Sequence, residues 1–187
     1  MRADRRQRQA TLAVLFISDG DPAPALFAEA IMNRLGAGRF LAQSVLDPQH
    51  SRMDPMALEV LRHFNYRTVG LRHRSRGQFQ GAKAPSLDLV FDLNPAGDRS
   101  AAAQIWPGHP VIAAWPMPDP ASGTDGDAAV RRAYHQLYGR LYNRISILVT
   151  LPLDLLDRPA VSGWLTRLGR DEDVVLLSAD PYAESVS

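Results

Sequence analysis

The residues best placed to do chemistry lie in a short turn near the N-terminus. An apolar, strand-like run at 12–17 leads into this turn, and an alanine-rich helical segment follows from about residue 25. Where a strand passes into a helix, free backbone N–H groups and the positive end of the helix dipole meet, which is a common anion site. The turn consists of Ser18, Asp19, Gly20, Asp21, Pro22, Ala23, Pro24 and Ala25.

The composition of this turn opposes the binding of an anion. Asp19 and Asp21 place negative charge where an anion would lie, and like charges ~4 Å apart repel by about 1 kcal/mol in water and by more at lower dielectric. Pro22 and Pro24 have no backbone N–H to donate. The hydroxyl of Ser18 needs an adjacent base before it can act as a nucleophile. The sequence therefore predicts a turn in the position of an oxyanion site that lacks the donor groups needed to hold an oxyanion.

The turn also has a structural interpretation. Asp21 can cap the following helix, with Pro22 at the first helical position, so that the protein's own carboxylate uses the free N–H groups. Gly20 would let the backbone turn tightly before them. Two alternatives remain open, a rebuilt site with new chemistry and a water or small cation near Asp19 and Asp21. Two clustered carboxylates without histidine spacing predict neither a metal site nor a cofactor.

Strand and helix patterns alternate along the chain and predict an α/β fold. Strand-like runs lie at 12–17, 40–45, 87–93 and 110–115, and several are continuously apolar, as in parallel strands covered on both faces. Helical spacing occurs at 25–35, at 56–64 after an Asp54-Pro55 start, at 128–150 and at 159–168. Such alternation predicts right-handed βαβ units and a doubly wound sheet. The turn at Ser18 should lie at the carboxyl end of the first strand.

Composition narrows the classes of function. The chain has 187 residues, a formal net charge of +1 and no cysteine, so disulfides, thiolate chemistry and cysteine-ligated metals are excluded. Residues 1–10 are basic and are predicted to be a flexible N-terminus, and 169–187 a polar tail. No apolar run approaches the ~20 residues of a membrane span. A cytoplasmic protein without nucleic-acid or membrane partners is expected.

Four segments, taken in order, resemble one enzyme family. They are VLFISDGDPAPALFAEAIMNRLGAGRF at 14–40, MDPMALEVLRHFNYRTVGLRHRS at 53–75, IWPGHPVIAAWPMPDPA at 105–121 and AYHQLYGRLYNRISILVTLPLDLLDR at 133–158. Together they resemble the low-molecular-weight protein tyrosine phosphatases, and most closely the thioredoxin-coupled arsenate reductase branch. The resemblance implies one phosphatase-like domain at 11–168. It also implies a flavodoxin-like three-layer sandwich, with a four-stranded parallel sheet in the order 2-1-3-4 and helices on both faces.

The resemblance also implies a reaction whose residues this chain has lost. In the family, a cysteine thiolate attacks phosphorus or arsenic, loop N–H groups and an arginine hold the oxyanion, and the aspartate of an Asp-Pro pair protonates the leaving group. Here Ser18 stands at the nucleophile position, Pro24 at the arginine position and Ala25 at the hydroxyl position. Asp119, in an Asp-Pro pair, matches the acid, although such pairs also form turns.

These departures predict a phosphatase fold without phosphatase chemistry, acting as a non-catalytic binding or regulatory domain. The alternative is a metal- or carboxylate-dependent phosphatase or arsenate-handling enzyme that uses a rebuilt site. Arg72, Arg74 and Arg76 could hold an anion near the pocket mouth, although a solvated basic loop is the favoured interpretation. An unidentified protein partner or a homodimer is also open, because tyrosines recur every four residues on the long helix and tyrosines concentrate at interfaces.

Overall fold

A four-stranded parallel sheet forms the centre of the molecule. The computed structural model describes residues 11–46, 53–72, 74–81, 83–95, 104–122, 126–153 and 155–170. The strands are β1 (Leu12–Ser18), β2 (Phe40–Leu46), β3 (Leu89–Asp92) and β4 (Val111–Ala114), and they lie in the order β2-β1-β3-β4. All three neighbouring pairs are parallel. The α/β class and the strand order predicted from the sequence are therefore confirmed.

Four α-helices accompany the sheet in the part of the chain that the structure describes. They are α1 (Ala23–Leu35), α2 (Pro55–His63), α3 (Asp127–Leu148) and α4 (Arg158–Arg170). Helix α2 begins as its sequence predicts, because the side chain of Asp54 accepts a hydrogen bond from the N–H of Met56 and Pro55 occupies the first turn. Helix α1 begins two residues earlier than the predicted start at residue 25.

The two faces of the sheet bury different sets of side chains. On one face, Val14, Phe16 and Phe91 join a large core with residues of all four α-helices. On the other face, Leu15, Ile17 and Val90 pack with Phe79 and Trp106. Phe79 belongs to a short 3₁₀ helix, Arg76–Phe79, which no periodicity in the sequence indicates. Side chains that alternate along β1 therefore serve two cores, which explains its continuously apolar sequence.

Helix α4 packs directly on β4 because it carries a glycine at the contact. A Cβ atom at Gly169 would collide with the carbonyl oxygen of Ala114 and with the indole ring of Trp115. The indole N–H of Trp115 donates to the carbonyl oxygen of Leu165 at 2.8 Å. No helix among the described residues is long and apolar enough to cross a bilayer.

Candidate functional site

The turn singled out by the sequence lies where β1 and β3 end side by side. Ile17 is in register with Asp92, so the residues that follow each strand meet at the same edge of the sheet. Ser18 is buried, and its hydroxyl donates a 2.6 Å hydrogen bond to the carbonyl oxygen of Asp21. A peptide carbonyl is not a general base, so this bond fixes the hydroxyl without activating it.

Asp21 directs its carboxylate at the start of α1. Its Oδ1 atom accepts the N–H of Ala23 at 2.6 Å, and the first helical hydrogen bond follows from the N–H of Leu26 to the carbonyl oxygen of Pro22 at 3.1 Å. Pro22 already has a helical backbone conformation. The N-cap is therefore Pro22, one residue later than the expected cap, and Asp21 binds the N–H of the first helical residue from the position before it.

The remaining positions of the turn are closed or unremarkable. Ala23, Pro24 and Ala25 are buried in the first turn of α1. Gly20 does not need the special freedom of glycine. Its φ is not positive, and an added Cβ would meet nothing within 4 Å. The tight-turn explanation of Gly20 is therefore wrong.

Asp19 lies in a polar network that joins the turn to β3 and the 3₁₀ helix. Its backbone N–H donates to Oδ1 of Asn94 at 2.7 Å, and Nδ2 of Asn94 donates to its Oδ2 at 2.9 Å. Arg76 forms an ion pair with its Oδ1. Asn94 is itself held by Oδ1 of Asp92, which accepts its N–H at 3.1 Å. The carboxylate of Asp19 therefore binds the guanidinium of Arg76 and the amide nitrogen of Asn94, and the amide oxygen of Asn94 binds the N–H of Asp19.

The three arginines suggested as anion contacts lie in different environments. Arg74 forms a 3.0 Å salt bridge with buried Glu29, which also accepts hydrogen bonds from the N–H and the hydroxyl of Ser44. Arg76 is paired with Asp19. Arg72 is exposed. An anion at Arg74 or Arg76 would therefore compete with a carboxylate that is already in place.

A cavity of about 420 Å³ opens beside the turn. Its lining includes three carboxylates from three separate segments, Asp21, Asp54 and Asp119. Pro22, Met53, Pro55 and Tyr134 also line it. Asp119 is exposed and shapes a turn of its own, because its Oδ1 accepts the N–H of Ala121 at 2.8 Å and its carbonyl oxygen accepts that of Ser122 at 3.2 Å.

The surroundings of the cavity raise the pKa of both Asp21 and Tyr134. Burial raises the pKa of the Asp21 carboxyl from 3.8 to about 6; the N–H of Ala23 opposes the rise, and the charges of Asp54 and Asp119 add to it. Tyr134 donates to Oδ2 of Asp21 over a long 3.4 Å. Burial, together with the carboxylates of Asp54 and Asp21, raises the pKa of Tyr134 above its ordinary value of 10. Its hydroxyl therefore stays protonated and is a donor to this group of carboxylates.

The carboxylates line the cavity without converging on a point. Among the described residues, no group of three or more histidine, cysteine, aspartate and glutamate side chains is arranged to hold a metal ion. The parts of this site that sequence reasoning missed come from distant segments. Asn94, Asp54 and Tyr134 reach the turn from 75, 33 and 113 residues away, and only the cap at Asp54 had a local signal.

Comparison with known proteins supports the fold and assigns no activity. No family model matches the chain, and no curated protein matches it. One similar solved structure is an arsenate reductase in the phosphate binding state, with a TM-score of 0.57 and 18% identity over 75% of this chain and 98% of that one. A protein tyrosine phosphatase from Entamoeba histolytica has a TM-score of 0.59 and 14% identity over 79% of this chain and 100% of that one. YfkJ from Bacillus subtilis has a TM-score of 0.51 and 17% identity over 80% of this chain and 99% of that one. At these identities the likeness shows a shared fold.

Proposed function

We propose that this chain is a degenerate relative of the low-molecular-weight tyrosine phosphatases and arsenate reductases that acts as a non-catalytic binding or regulatory domain. One observation carries the proposal. The groups that would hold an oxyanion are used by the protein itself, since the N–H of Ala23 is bound by Asp21 and the N–H of Asp19 by Asn94. An oxyanion site works when such donors are free and aimed at the developing charge.

The nucleophile position supports the same conclusion. The chain has no cysteine at all, and Ser18 donates its hydroxyl hydrogen to a carbonyl oxygen. A serine attacks only when a base removes that hydrogen, whereas a thiol in a helix-terminal loop ionises near neutral pH by itself. The replacement of sulfur by oxygen therefore removes the nucleophile, because nothing bound to the Ser18 hydroxyl compensates for it.

The charge of the site also supports the non-catalytic function. The arginine position holds Pro24, and the nearby guanidinium of Arg76 is neutralised by Asp19. Loss of one oxyanion donor costs ~10²–10³ in rate, and a bidentate arginine supplies two charged donors. Asp21, Asp54 and Asp119 then face the space where a phosphoryl group would approach. Each of these features disfavours a dianion in the same place.

Hydrolysis of para-nitrophenyl phosphate tests the proposal. Wild-type protein and the Ser18→Ala variant should show the same rate, indistinguishable from buffer. Arsenate reduction with thioredoxin should likewise be absent. Turnover by the wild type that exceeds the turnover of Ser18→Ala would overturn the proposal, because it would assign a catalytic function to the hydroxyl.

A carboxylate-based enzyme is the second candidate, and the raised pKa of Asp21 favours it. A carboxyl with a pKa of about 6 beside an open cavity can exchange a proton near neutral pH. This candidate predicts hydrolysis of phosphate or arsenate esters that needs Mg²⁺ or Mn²⁺ and disappears in Asp21→Asn or Asp119→Asn. The same assay series with added metal separates it from the non-catalytic proposal.

A non-catalytic domain acts through what it binds. We include in the proposal a protein partner or a second copy of the chain, in the cytoplasm, rather than nucleic acid or a membrane. The net charge of +1 supports the last part, since it provides no strong field for a polyanion. Light scattering on purified protein across a concentration series measures whether the chain self-associates.

A further inference from the structure

The loop that follows α2 presents an apolar side chain to solvent. We call residues 67–72 the Val69 loop, because Val69 at its centre is 97% exposed. Gly70 beside it has a φ of +108°, and a Cβ atom there would meet nothing within 4 Å. A single exposed apolar side chain needs no explanation on a protein surface. Here the anchoring of the loop and the charges around it add to the observation.

The Val69 loop is held at both ends. Before it, Tyr66 is buried, accepts a 3.1 Å hydrogen bond from the hydroxyl of Tyr138 and has the guanidinium of Arg34 4.4 Å from the centre of its ring. After it begins to return to the protein, Leu71 packs against the large core, and Arg74 forms a salt bridge with a buried carboxylate of α1. A loop that is fixed in this way loses little conformational entropy when it binds a partner.

The charge around the Val69 loop has one sign. Arg67 and Arg72 lie on either side of Val69, and both are exposed. No aspartate or glutamate occurs between residues 60 and 87, and in the described part of that stretch the ion pairs involve Arg74 and Arg76 rather than these two arginines. The loop therefore fits a partner segment in which carboxylates lie beside apolar side chains.

The chain itself contains a segment of this kind directly after α4. Residues 171–177, which lie outside the described residues, have the sequence DEDVVLL. The whole stretch 171–187 contains five acidic residues and no lysine or arginine. The net charge of +1 thus conceals a separation of charge between a basic loop region and an acidic, partly apolar terminal segment.

The fold separates the two surfaces within one chain. Gly169, at the end of α4, packs on Ala114 of the edge strand β4. Arg34, which holds the Val69 loop, follows a side chain of α1 that hydrogen-bonds the backbone of β2, the opposite edge strand. Three strand spacings separate these edges by about 14 Å, whereas residues 171–173 extend at most about 10 Å beyond α4. This arrangement favours the loop of a second copy over the loop of the same chain.

We propose that the Val69 loop of one chain binds segment 171–177 of a second copy. The carboxylates of 171–173 pair with Arg67 and Arg72, and the apolar residues of 174–177 cover Val69. The inference rests on the proposed non-catalytic binding function and names its partner and its surface. Two copies that exchange segments in this way make the same contact twice and form a closed dimer.

Light scattering of the full chain over a concentration series tests the inference. We expect the mean mass to rise between ~10 µM and ~1 mM protein at low salt, and the rise to disappear in ~0.5 M NaCl because salt screens exposed ion pairs. The double variant Arg67→Gln/Arg72→Gln should weaken association about tenfold or more. Arg132→Gln/Arg140→Gln is the matched control, since it removes two exposed arginines of α3 and should leave association unchanged.

A mixing experiment identifies the second copy as the occupant. The triple variant Asp171→Asn/Glu172→Gln/Asp173→Asn should also remain monomeric by itself. In an equimolar mixture with Arg67→Gln/Arg72→Gln, one chain keeps its segment and the other keeps its loop, so association should return in part. A segment that binds the loop of its own chain would give a mass that does not depend on concentration and no recovery on mixing, which would overturn the inference.

Peptide titration tests the chemistry of the contact. Calorimetry with the triple variant should show binding of the capped peptide DEDVVLLSAD, and the amide analogue NQNVVLLSAN should bind about tenfold more weakly or not at all. Equal binding of the two peptides would reject the ion pairs. An anionic oligonucleotide that binds the Arg67–Arg72 loop more tightly than the acidic peptide would reject a protein segment as its partner.

The outcomes for self-association are independent of the outcomes for catalysis. A constant mass up to ~1 mM protein, or unchanged association in Arg67→Gln/Arg72→Gln, would overturn the inference. Thermal melts of each variant verify that it is folded. Absence of aryl phosphate hydrolysis in the same samples would leave the non-catalytic function standing, whichever result self-association gives.

Discussion

The carboxylate of Asp21 binds the N–H of Ala23 at 2.6 Å, in the place where an oxyanion loop would leave that N–H free. The two residues are close in sequence, so a single aspartate at this position suffices to change what the start of α1 presents to solvent. When a carboxylate of the protein binds the free N–H groups at a helix N-terminus, that N-terminus attracts an external anion less strongly. The raised pKa of the same carboxylate predicts a stability that depends on pH.

Asp21 should reduce stability as the pH rises. Burial raises its pKa from 3.8 to about 6, so between these values the folded chain holds a proton that the unfolded chain has released. Stability from this group is therefore present at low pH and lost as the pH rises through about 6. Asp21→Asn keeps an acceptor for Ala23 and removes the charge. It should raise the free energy of unfolding by about 1–2 kcal/mol at pH 7.5, after allowance for solvent screening, and by little at pH 4.

Urea denaturation at the two pH values measures this difference. Asp157→Asn is a suitable control, because Asp157 also accepts a backbone N–H near a helix start, that of Ala160, but lies outside the cavity. A loss of stability in Asp21→Asn at pH 7.5, or the same gain at both pH values, would show that the charge of Asp21 is not the cause.

Asn94→Ala should destabilise the fold by about 1–3 kcal/mol. Asn94 is buried, its Oδ1 accepts the N–H of Asp19, and its Nδ2 donates to the carboxylate of the same residue. Removal of the amide leaves both groups of Asp19 without these bonds. Thermal denaturation provides the measurement, with Gln80→Ala as the exposed control for loss of an amide hydrogen bond. A change no larger than that of the control would mean that the Asp19 network does not hold the turn.

Glu29→Ala should destabilise by about 3 kcal/mol or more, because it leaves Arg74 and Ser44 without their buried acceptor. The exposed pair Arg131–Glu59 is the comparison. Because surface ion pairs contribute only ~0–1 kcal/mol, Glu59→Ala should change the free energy of unfolding by about 1 kcal/mol at most. Adding Arg74→Ala to Glu29→Ala should recover part of the loss. A double variant as unstable as the sum of the two single variants would indicate that the pair is not coupled.

Gly169→Ala and Gly163→Ala should have opposite effects within one helix. A Cβ at Gly169 collides with Ala114 and Trp115, which predicts a loss of about 1–3 kcal/mol. At Gly163 the same atom meets nothing within 4 Å, so the gain in helix propensity should stabilise by about 0.5–1 kcal/mol. Chemical denaturation measures the free energy of unfolding of the two variants. Equal effects would contradict the close contact between α4 and β4.

Much of the fold could be predicted from the sequence because its signals are local. The Asp54-Pro55 start of α2 marks a cap that the structure contains, and the spacing along α3 matches its buried face. Strand bounds were less accurate. The apolar run at 87–93 forms sheet pairs only over Leu89–Asp92, because Leu87 instead donates its N–H to Pro107. The 3₁₀ helix Arg76–Phe79 has too few residues to show a period.

The candidate site was predicted in part. The turn at Ser18 and the binding of Asp21 to the start of α1 follow from residue types that are adjacent in the chain, although the N-cap itself is Pro22. The partners of Arg74 and Arg76 do not, since 45 and 57 residues separate each arginine from its carboxylate. Tyr134 is one of the tyrosines that recur every four residues along α3. It is buried, but its hydroxyl also reaches Asp21 across 113 residues, a contact that only the fold can create.

At the start of α1 the carboxylate of Asp21 binds the N–H of Ala23, which an oxyanion in the turn would have to displace. The most direct measurement is a crystal structure of the full chain grown in phosphate at pH 7.5. We expect the Asp21 carboxylate on the N–H of Ala23 and no phosphate within the turn. A phosphate ion held by main-chain N–H groups beside the Ser18 hydroxyl, with Asp21 displaced, would contradict it.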